Sequence, residues 1–453
     1  MKKVHCIGIG GIGVSALARF FLSRGMRVSG SDGKDGSWRK SIEDAGVKVF
    51  IGHDAKNIPL DCDLIIYSSA VPEDNAERKE AFRRNIPQKT YAEGLGEAMK
   101  EYETRIAVSG THGKTTATAL LGLLFEGAKK DPMVIVGGKV PSWKSNFRNG
   151  WGSVAIAEAC EYERAFDALS PTVAIVNNIE ADHLDYYRDI LDVENAFGDF
   201  VERLPKNGLL IYNADDERVR RIALLARCRG ASFGVKNDAD VVAKNRTMGD
   251  GGQSFDVWRR GALLGRVMLH VPGVFNISNA LAALSCALEH GVPFSEAKKT
   301  LESFVGSWRR FEKTGEIDGK PMISDYAHHP TAVRGTIEAA KEFFPGKKIL
   351  AVFQPHQRDR TLKLFDEFAR AFDDADGVIL SEIYDVAGRN EAEKDISSCE
   401  LMSAIQKRNL KQDVAYARDV AETKKMIQKK INDFDVLLIM GAGDIDTIAR
   451  NIF

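Results

Sequence analysis

The chain has 453 residues, a length typical of about three domains, and 44% of them are hydrophobic. Its 63 Lys and Arg balance 64 Asp and Glu to a net charge of −1, which argues against binding of a bulk polyanion such as nucleic acid. Six scattered cysteines without a C-x-x-C pair argue against a zinc ribbon or a disulfide scaffold and indicate a reducing cytoplasm. Since no apolar run reaches about 18 residues, we expect no membrane span.

The first hundred or so residues alternate short apolar runs with a helical stretch. Strands are predicted at residues 4–9, 27–31 and 64–68, and a helix at 12–24. Apolar strands bounded by glycine and separated by helices are typical of a parallel sheet with crossover helices. We therefore predict an α/β fold here.

A glycine-rich loop joins the first strand to the first helix. Its sequence, Gly8-Ile9-Gly10-Gly11-Ile12-Gly13, fits G-x-G-x-x-G. Such glycines allow a tight turn and let a diphosphate approach the N–H groups of a helix N-terminus. Asp32 ends the second predicted strand, where a ribose-binding acid is expected. The pattern favours a diphosphate ligand over a purely structural turn, but it does not name the nucleotide.

A second unit begins near Thr104. Strands are predicted at 105–108, 133–136, 154–157 and 173–176, with helices at 115–126 and 277–289. Between residues 239 and 271 the pattern changes to short alternating runs, which we interpret as antiparallel strands at the edge of this unit.

The first strand of this unit leads into a phosphate-binding sequence. Its members are Gly110, Thr111, His112, Gly113, Lys114, Thr115 and Thr116. Val108 stands where the strict P-loop pattern has its first glycine, but the G-K-T core is kept. In such a loop, backbone donors surround phosphates, Lys114 reaches the β- and γ-phosphates, and the Thr115 hydroxyl ligates Mg²⁺. We expect nucleoside triphosphate binding; a structural turn is the alternative.

Polar residues follow the next two strands of this unit. Glu158 begins E-A-C-E, and His183 ends N-N-I-E-A-D-H. Ligands of open parallel sheets bind beyond the carboxyl ends of the strands, so both side chains are expected to face the phosphates held by Lys114. Each alone would be more typical of a polar strand end, but after a phosphate loop in the same unit they are candidate ligands for one or two Mg²⁺ ions.

A third unit begins near Arg310, with strands predicted at 322–324, 349–353, 378–380 and 436–440. The run from Asp325 to Pro330 contains adjacent histidines, which fit a metal site, a substrate clamp or a polar turn. No further zinc ligands are evident from the spacing. Arg358 and Arg360 follow the next strand and suit bidentate contacts to a carboxylate or phosphate, with a solvated loop as the alternative.

The motifs together resemble the Mur ligases of peptidoglycan synthesis. G-I-G-G-I-G, G-T-H-G-K-T-T, E-A-C-E-Y, N-I-E-A-D-H, R-R-F, D-Y-A-H-H-P-T and Q-P-H-x-x-x-R-T occur in this order along essentially the whole chain. The resemblance implies three α/β domains: a Rossmann-like UDP-sugar domain at 1–103, a central P-loop ATPase domain at 104–309 and a C-terminal Rossmann-like domain at 310–453. G-T-H-G-K-T and D-Y-A-H-H-P point to the branch that joins L-alanine to UDP-N-acetylmuramate.

The family transfers the γ-phosphate of ATP to the substrate carboxylate. The amine of the amino acid then attacks the acyl phosphate, and phosphate leaves a tetrahedral intermediate to give an amide. The resemblance therefore implies ATP and Mg²⁺ as cofactors and small-molecule partners. We expect a monomer or a weak homodimer in the cytoplasm.

The resemblance also implies roles for residues at matching motif positions. Those expected at the UDP-sugar are Gly10, Gly11, Ile12, Gly13, Asp32, Ser68, Ser69 and Ala70. Besides the phosphate loop, Asn279 is expected at adenine, Arg310 at the phosphates and Asp325 at the ribose. Thr115 and Glu158 are expected at one Mg²⁺ and His183 at the second.

The same resemblance implies an amino-acid pocket around His328, Arg358 and Arg360, with Arg360 the better matched arginine. The expected catalytic residues are Lys114, Glu158, His183, His328 and Arg360.

Three positions depart from the family pattern. Cys160 replaces an aspartate in E-A-D-E, Phe275 replaces a histidine before Asn276, and Gln357 replaces an arginine common after Q-P-H. Spacing alone marks no lysine as the carbamylated lysine of some sister ligases.

Other functions remain as alternatives. A ligase that recycles a murein tripeptide onto the same sugar nucleotide would share most motifs. A nicotinamide-dependent dehydrogenase explains only the first glycine loop and Asp32, and a P-loop motor or binding module explains only G-K-T.

Overall fold

The computed structural model describes residues 2–36, 38–249, 251–385 and 396–451. The strands in these ranges are β1 Lys3–Ile7, β2 Arg27–Asp32, β3 Lys48–Ile51, β4 Leu64–Tyr67, β5 Gln88–Thr90, β6 Thr104–Ser109, β7 Met133–Val140, β8 Ser145–Arg148, β9 Val154–Glu158, β10 Val173–Val176, β11 Leu209–Asn213, β12 Arg229–Gly234, β13 Val241–Gly249, β14 Gly252–Arg259, β15 Ala262–Leu269, β16 Glu312–Ile317, β17 Lys320–Asp325, β18 Ile349–Phe353, β19 Gly377–Ser381, β20 Asp413–Ala417 and β21 Val436–Met440.

The α-helices in the same ranges are α1 Ile12–Ser23, α2 Trp38–Glu43, α3 Ala76–Arg83, α4 Tyr91–Met99, α5 Lys114–Gly127, α6 Ile190–Glu202, α7 Glu217–Ala223, α8 Val274–Glu289, α9 Phe294–Ser303, α10 Pro330–Phe343, α11 Arg358–Lys363, α12 Phe365–Arg370, α13 Ser398–Arg408, α14 Val420–Lys430 and α15 Asp446–Arg450. Among the described residues, none of these helices combines the length and the apolar character needed to cross a bilayer.

The first sheet is parallel, with strand order β3-β2-β1-β4-β5. Helix α1 follows β1 and buries Val14, Leu17 and Phe20, which recur at the spacing of one helix face. The strands and helix predicted in this part of the chain are confirmed, with ends shifted by one or two residues.

The second sheet has the order β15-β14-β13-β12-β11-β10-β6-β9-β7-β8. It is parallel from β13 across to β7, whereas β14 and β15 form an antiparallel edge, as the alternating pattern of residues 239–271 predicted. Helices α5 and α8 pack together against the sheet. Leu120, Leu124 and Leu281 belong to the core between them, which explains why both helices are so apolar.

The third sheet has the order β16-β17-β21-β18-β19-β20, and only the β16–β17 pair is antiparallel. Its central strands are buried on both faces, which matches their unbroken apolar sequences. Each sheet lies within one of the three predicted ranges. The boundaries at 103/104 and 309/310 stay predictions.

Candidate active site

The phosphate loop lies between β6 and α5, at the carboxyl edge of the second sheet. Gly113 has φ of +82°, and a Cβ there would lie 2.1 Å from Oδ1 of Asn279. Only glycine fits this conformation and this close approach. Helix α5 begins at Lys114, so its N-terminal N–H groups form a ready anion site beside the loop.

Lys114 is held by a carboxylate that the sequence analysis did not single out. Its Nζ donates to Oε1 and Oε2 of Glu161 at 3.0 and 2.8 Å, and to the carbonyl of Gly110 at 2.5 Å. Burial by itself lowers the pKa of Lys114, but the charge of Glu161 outweighs it and the pKa is raised. The lysine is therefore a cation at the mouth of the loop, as its predicted phosphate contact requires. Glu161 is the last residue of E-A-C-E, so the motif itself was the available signal.

Thr115, Glu158 and Arg310 meet on the other side of the loop. Oγ1 of Thr115 donates to Oε2 of Glu158 at 3.2 Å, and Nη2 of Arg310 donates to the same hydroxyl at 3.4 Å. Burial raises the pKa of Glu158, while a hydrogen bond from the N–H of Gly137 and the charge of Lys114 oppose that rise. A hydroxyl and a carboxylate this close supply the hard oxygen ligands that Mg²⁺ prefers.

His183 lies beside Glu161 rather than beside the Thr115–Glu158 pair. Its Nε2 is 3.7 Å from Oε1 of Glu161 and 3.9 Å from Oδ2 of Asp182. Its Nδ1 is buried and has no hydrogen-bond partner among the residues that the structure describes, and its backbone has φ of +55°. An imidazole beside a carboxylate is a suitable kind of ligand for a cation, and the role of His183 at a second Mg²⁺ stays a prediction.

The residues that follow β10 also contact the third sheet. We name residues 180–182 the docking segment, because each of its three residues accepts a hydrogen bond from that unit. The contacts are Thr331 Oγ1 to Glu180 Oε2 at 2.6 Å, His329 Nε2 to the carbonyl of Ala181 at 3.1 Å, and Arg360 Nε to Asp182 Oδ1 at 2.8 Å. The second and third units are thus joined beside the phosphate loop, through a loop on one side and helices α10 and α11 on the other.

The surroundings keep the two acids of the docking segment charged and the neighbouring histidines of the third unit neutral. Burial by itself would raise the pKa of Asp182, but the guanidinium of Arg360 holds it well below its usual range. Burial by itself would also raise the pKa of Glu180, but the nearby imidazole of His112 and the hydrogen bond from Thr331 lower it to about 2. Burial lowers the pKa of His329 to about 4 and the pKa of His328 well below its ordinary value.

The residues predicted around the amino acid are only partly together. His328 lies near His356, with ring centroids 6.2 Å apart, and Nη1 of Arg360 is 3.4 Å from Nδ1 of His356. Arg358 instead forms an ion pair with Asp385 at 3.0 Å. The structure therefore groups His328 and Arg360 and directs Arg358 elsewhere.

Two side chains predicted to contact ATP already bond to other groups of the protein. Both carboxylate oxygens of Asp325 accept main-chain hydrogen bonds, from Phe311 at 2.7 Å and Ala327 at 2.8 Å. Asn279 is buried against the phosphate loop and donates to Oδ1 of Asn276 at 3.4 Å. Their expected roles at ribose and adenine stay predictions.

The glycine loop of the first sheet forms a separate part of the site. Oδ2 of Asp32 accepts from the N–H of Gly10 at 2.9 Å, so this acid braces the loop itself. Trp38 lies over the loop, since a Cβ on Gly10 would be 2.5 Å from its Cε2 and 2.8 Å from its Nε1. Ser69 and Ala70 are exposed nearby, and Ser68 packs beneath Gly8. Trp38 lies outside every motif, so no sequence pattern marks it.

Three family models match successive parts of the chain. They are "Mur ligase family, catalytic domain" at residues 3–103, "Mur ligase middle domain" at 108–287 and "Mur ligase, glutamate ligase domain" at 309–443. The chain belongs to the Mur ligase family. The resemblance read from the motifs is thereby confirmed, and so is the three-part α/β architecture.

Named relatives of this Mur ligase cover nearly its whole length. A UDP-N-acetylmuramate–L-alanine ligase of Clostridium acetobutylicum is 42% identical over 99% of this chain and 97% of its own length. The enzyme of the same name from Alkaliphilus metalliredigens is 41% identical over 99% of this chain and 96% of its own length. A solved UDP-N-acetylmuramate-alanine ligase from Thermotoga maritima has a TM-score of 0.85 and 29% identity, covering 100% of this chain and 98% of that one.

Two of the three departures of this Mur ligase from the family pattern lie near the phosphate loop and the start of α11. Cys160 is exposed between Glu158 and Glu161, the two acids that contact the phosphate loop. Gln357 is buried at the start of α11, and its Nε2 has no hydrogen-bond partner among the described residues. The loop-binding carboxylates are thus kept, and the change at Gln357 falls beside Arg360, which is predicted to contact the amino acid.

Proposed function

We propose that this Mur ligase joins L-alanine to UDP-N-acetylmuramate while cleaving ATP to ADP and phosphate, the first peptide step of peptidoglycan synthesis. The meeting of Lys114, Thr115, Glu158 and Arg310 at the N-terminus of α5 carries the proposal. It supplies three kinds of group that phosphoryl transfer needs: cations, backbone donors and oxygen ligands for a metal. The full-length similarity to L-alanine ligases supports the choice of substrates.

In this proposal, Glu161 holds Lys114 until a nucleotide arrives. The lysine then exchanges the carboxylate for the β- and γ-phosphates, while Arg310 approaches them from the hinge before the third sheet. Thr115 and Glu158 hold Mg²⁺, which neutralises phosphate charge when it is bound. Because acyl transfer from phosphate to amine needs alignment and charge neutralisation, the side chains position reactants and provide no covalent nucleophile.

The UDP-sugar lies across the glycine loop of the first sheet, with its diphosphate at Gly10, Gly11 and Gly13. The amino acid enters beside His328 and Arg360. The three units correspond to residues 1–103, 104–309 and 310–453, and the enzyme acts in the cytoplasm as a monomer or weak dimer.

Phosphate release from Mg-ATP and UDP-N-acetylmuramate tests the proposal, with L-alanine compared with a murein tripeptide as the second substrate. Release that depends on L-alanine, and on the sugar nucleotide, supports the proposed reaction. Release only with the tripeptide would reassign the enzyme to recycling, and release without either acceptor would contradict a ligase.

A further inference from the structure

A histidine and carboxylate cluster lies where the phosphate loop meets the third sheet. It consists of His112, Glu180 and His329, whose nearest donor atoms all lie within 4.8 Å of one another. Oε2 of Glu180 is 3.6 Å from Nε2 of His112 and 3.6 Å from Nδ1 of His329. This cluster is separate from the Thr115–Glu158 pair, which carries the proposed Mg²⁺ site.

The hydrogen bonds around His329 determine which of its ring nitrogens can bind a metal. Its Nε2–H donates to the carbonyl of Ala181 at 3.1 Å, which leaves the lone pair on Nδ1, the atom that faces Glu180. Histidines that ligate metals commonly donate the other ring N–H to a carbonyl in this way. Nδ1 accepts only a long bond from the N–H of Thr331, at 3.3 Å, which a metal would replace.

The other two donors are also oriented by neighbours. The Thr331 hydroxyl donates to Oε2 of Glu180 at 2.6 Å and fixes that carboxylate. The N–H of His112 donates to Oδ1 of Asn178 at 2.7 Å, which fixes the backbone that carries the imidazole. Nε2 of His112 is buried and finds no hydrogen-bond partner within the described part of the chain, an unusual state for a polar atom that points at a carboxylate.

We propose that His112, Glu180 and His329 form a binding site for a divalent transition metal of the Zn²⁺ type. Two imidazoles and one carboxylate are a common protein ligand set for zinc, with water in the fourth tetrahedral position. Ligand bonds of about 2.0–2.2 Å place tetrahedral donors roughly 3.4 Å apart. The two separations that involve Glu180 are 3.6 Å and need to shrink by only a fraction of an ångström, whereas the two imidazole nitrogens lie within 4.8 Å of each other and have to approach by up to about 1.4 Å on binding. Imidazole donors also distinguish this site from the oxygen ligands that Mg²⁺ prefers.

Occupancy would tie the phosphate loop to the N-terminus of α10. His112 belongs to the loop that receives the triphosphate, whereas His329 is the N-cap residue of that helix. A metal between them would hold the second and third sheets together, so we expect Zn²⁺ to slow the entry of nucleotide.

Cobalt binding to the full chain tests the site without any substrate. The protein is stripped with a chelator and titrated with Co²⁺ in excess Mg²⁺ and without nucleotide, with visible d–d absorption as the signal and Zn²⁺ as competitor. We expect one Co²⁺ per chain, displaced by Zn²⁺. Because the assay needs neither ATP nor an acceptor, its result is independent of the proposed ligase activity.

Two substitutions remove ligands with little change in shape. His329→Asn keeps a side chain that favours a helix N-cap, and Glu180→Gln keeps the size of the carboxylate. Each should lower the affinity for Co²⁺ at least about tenfold, since losing a supporting contact alone costs about that much. His270→Gln is the matched control, because His270 is exposed and bonds only to the carbonyl of Gly251 in the described part of the chain.

Circular dichroism confirms that each variant is folded. Failure of the unaltered chain to bind Co²⁺ would overturn the site. So would wild-type affinity in both His329→Asn and Glu180→Gln, or loss of binding in His270→Gln.

Discussion

Asp182→Asn is expected to weaken the docking of the third sheet onto the second. Asp182 lies in the loop after β10 and Arg360 in α11, so they come from different units, and only 5% and 7% of their side-chain surfaces are exposed. The substitution keeps the shape of the side chain and one oxygen that can accept from Arg360. It removes the negative charge that compensates a buried guanidinium.

Loss of one partner from a buried ion pair costs about 3–5 kcal/mol. The lower end of this range applies here for two reasons. Asparagine keeps an oxygen that accepts from Arg360, and water solvates the guanidinium of Arg360 when the two units separate. About 3 kcal/mol corresponds to roughly a 100-fold change in the docking equilibrium. Since the pKa of Asp182 is held below its ordinary value, the pair contributes fully above about pH 4 and is lost as the pH falls through the lowered pKa. Assays near neutral pH therefore see its whole effect.

Calorimetric titration with Mg-ATP and small-angle scattering measure the outcome. ATP is expected to contact both sheets, so Asp182→Asn should bind it roughly 100-fold more weakly and close less in scattering profiles. Asp413→Asn is the control, since Asp413 pairs with Lys430 within the third unit and half of its side chain is exposed. Surface pairs are worth about 0–1 kcal/mol, so the control should change ATP affinity little. A folded Asp182→Asn with the ATP affinity of Asp413→Asn would refute this reasoning.

Three further substitutions address the other parts of the site. Lys114→Ala should abolish phosphate release, because the phosphoryl group loses its main cation. Lys299→Ala is the control, since Lys299 is exposed, and it should keep the steady-state rate of phosphate release. Glu158→Gln should raise the Mg²⁺ concentration for half-maximal activity, and an unchanged Mg²⁺ titration would remove it from the metal site. Gly10→Ala should weaken calorimetric UDP-sugar binding but not ATP binding, because its Cβ would overlap Trp38; equal effects on both ligands would argue against a separate UDP site.

Local sequence was enough to predict the fold class and most central strands. The predicted bounds 173–176, 349–353 and 436–440 agree with β10, β18 and β21, because buried parallel strands are unbroken apolar runs. The phosphate loop was equally clear, since its glycines and its lysine are adjacent in the chain. Edge strands such as β16 and β20 were missed, because exposed edges mix polar and apolar residues and carry a weak pattern.

The groups that complete the site depend on contacts between distant parts of the chain. Lys114 and Glu161 are 47 residues apart, and Asp182 and Arg360 are 178 apart. The adjacent histidines of the third unit fitted a metal site, a substrate clamp or a polar turn, and their spacing could not reveal that His112, which is more than 200 residues earlier in the chain, lies beside His329. Spacing along the chain carries no information about such pairs. How the sheets dock onto one another places these side chains together, and that docking follows from packing and buried charge across the whole molecule.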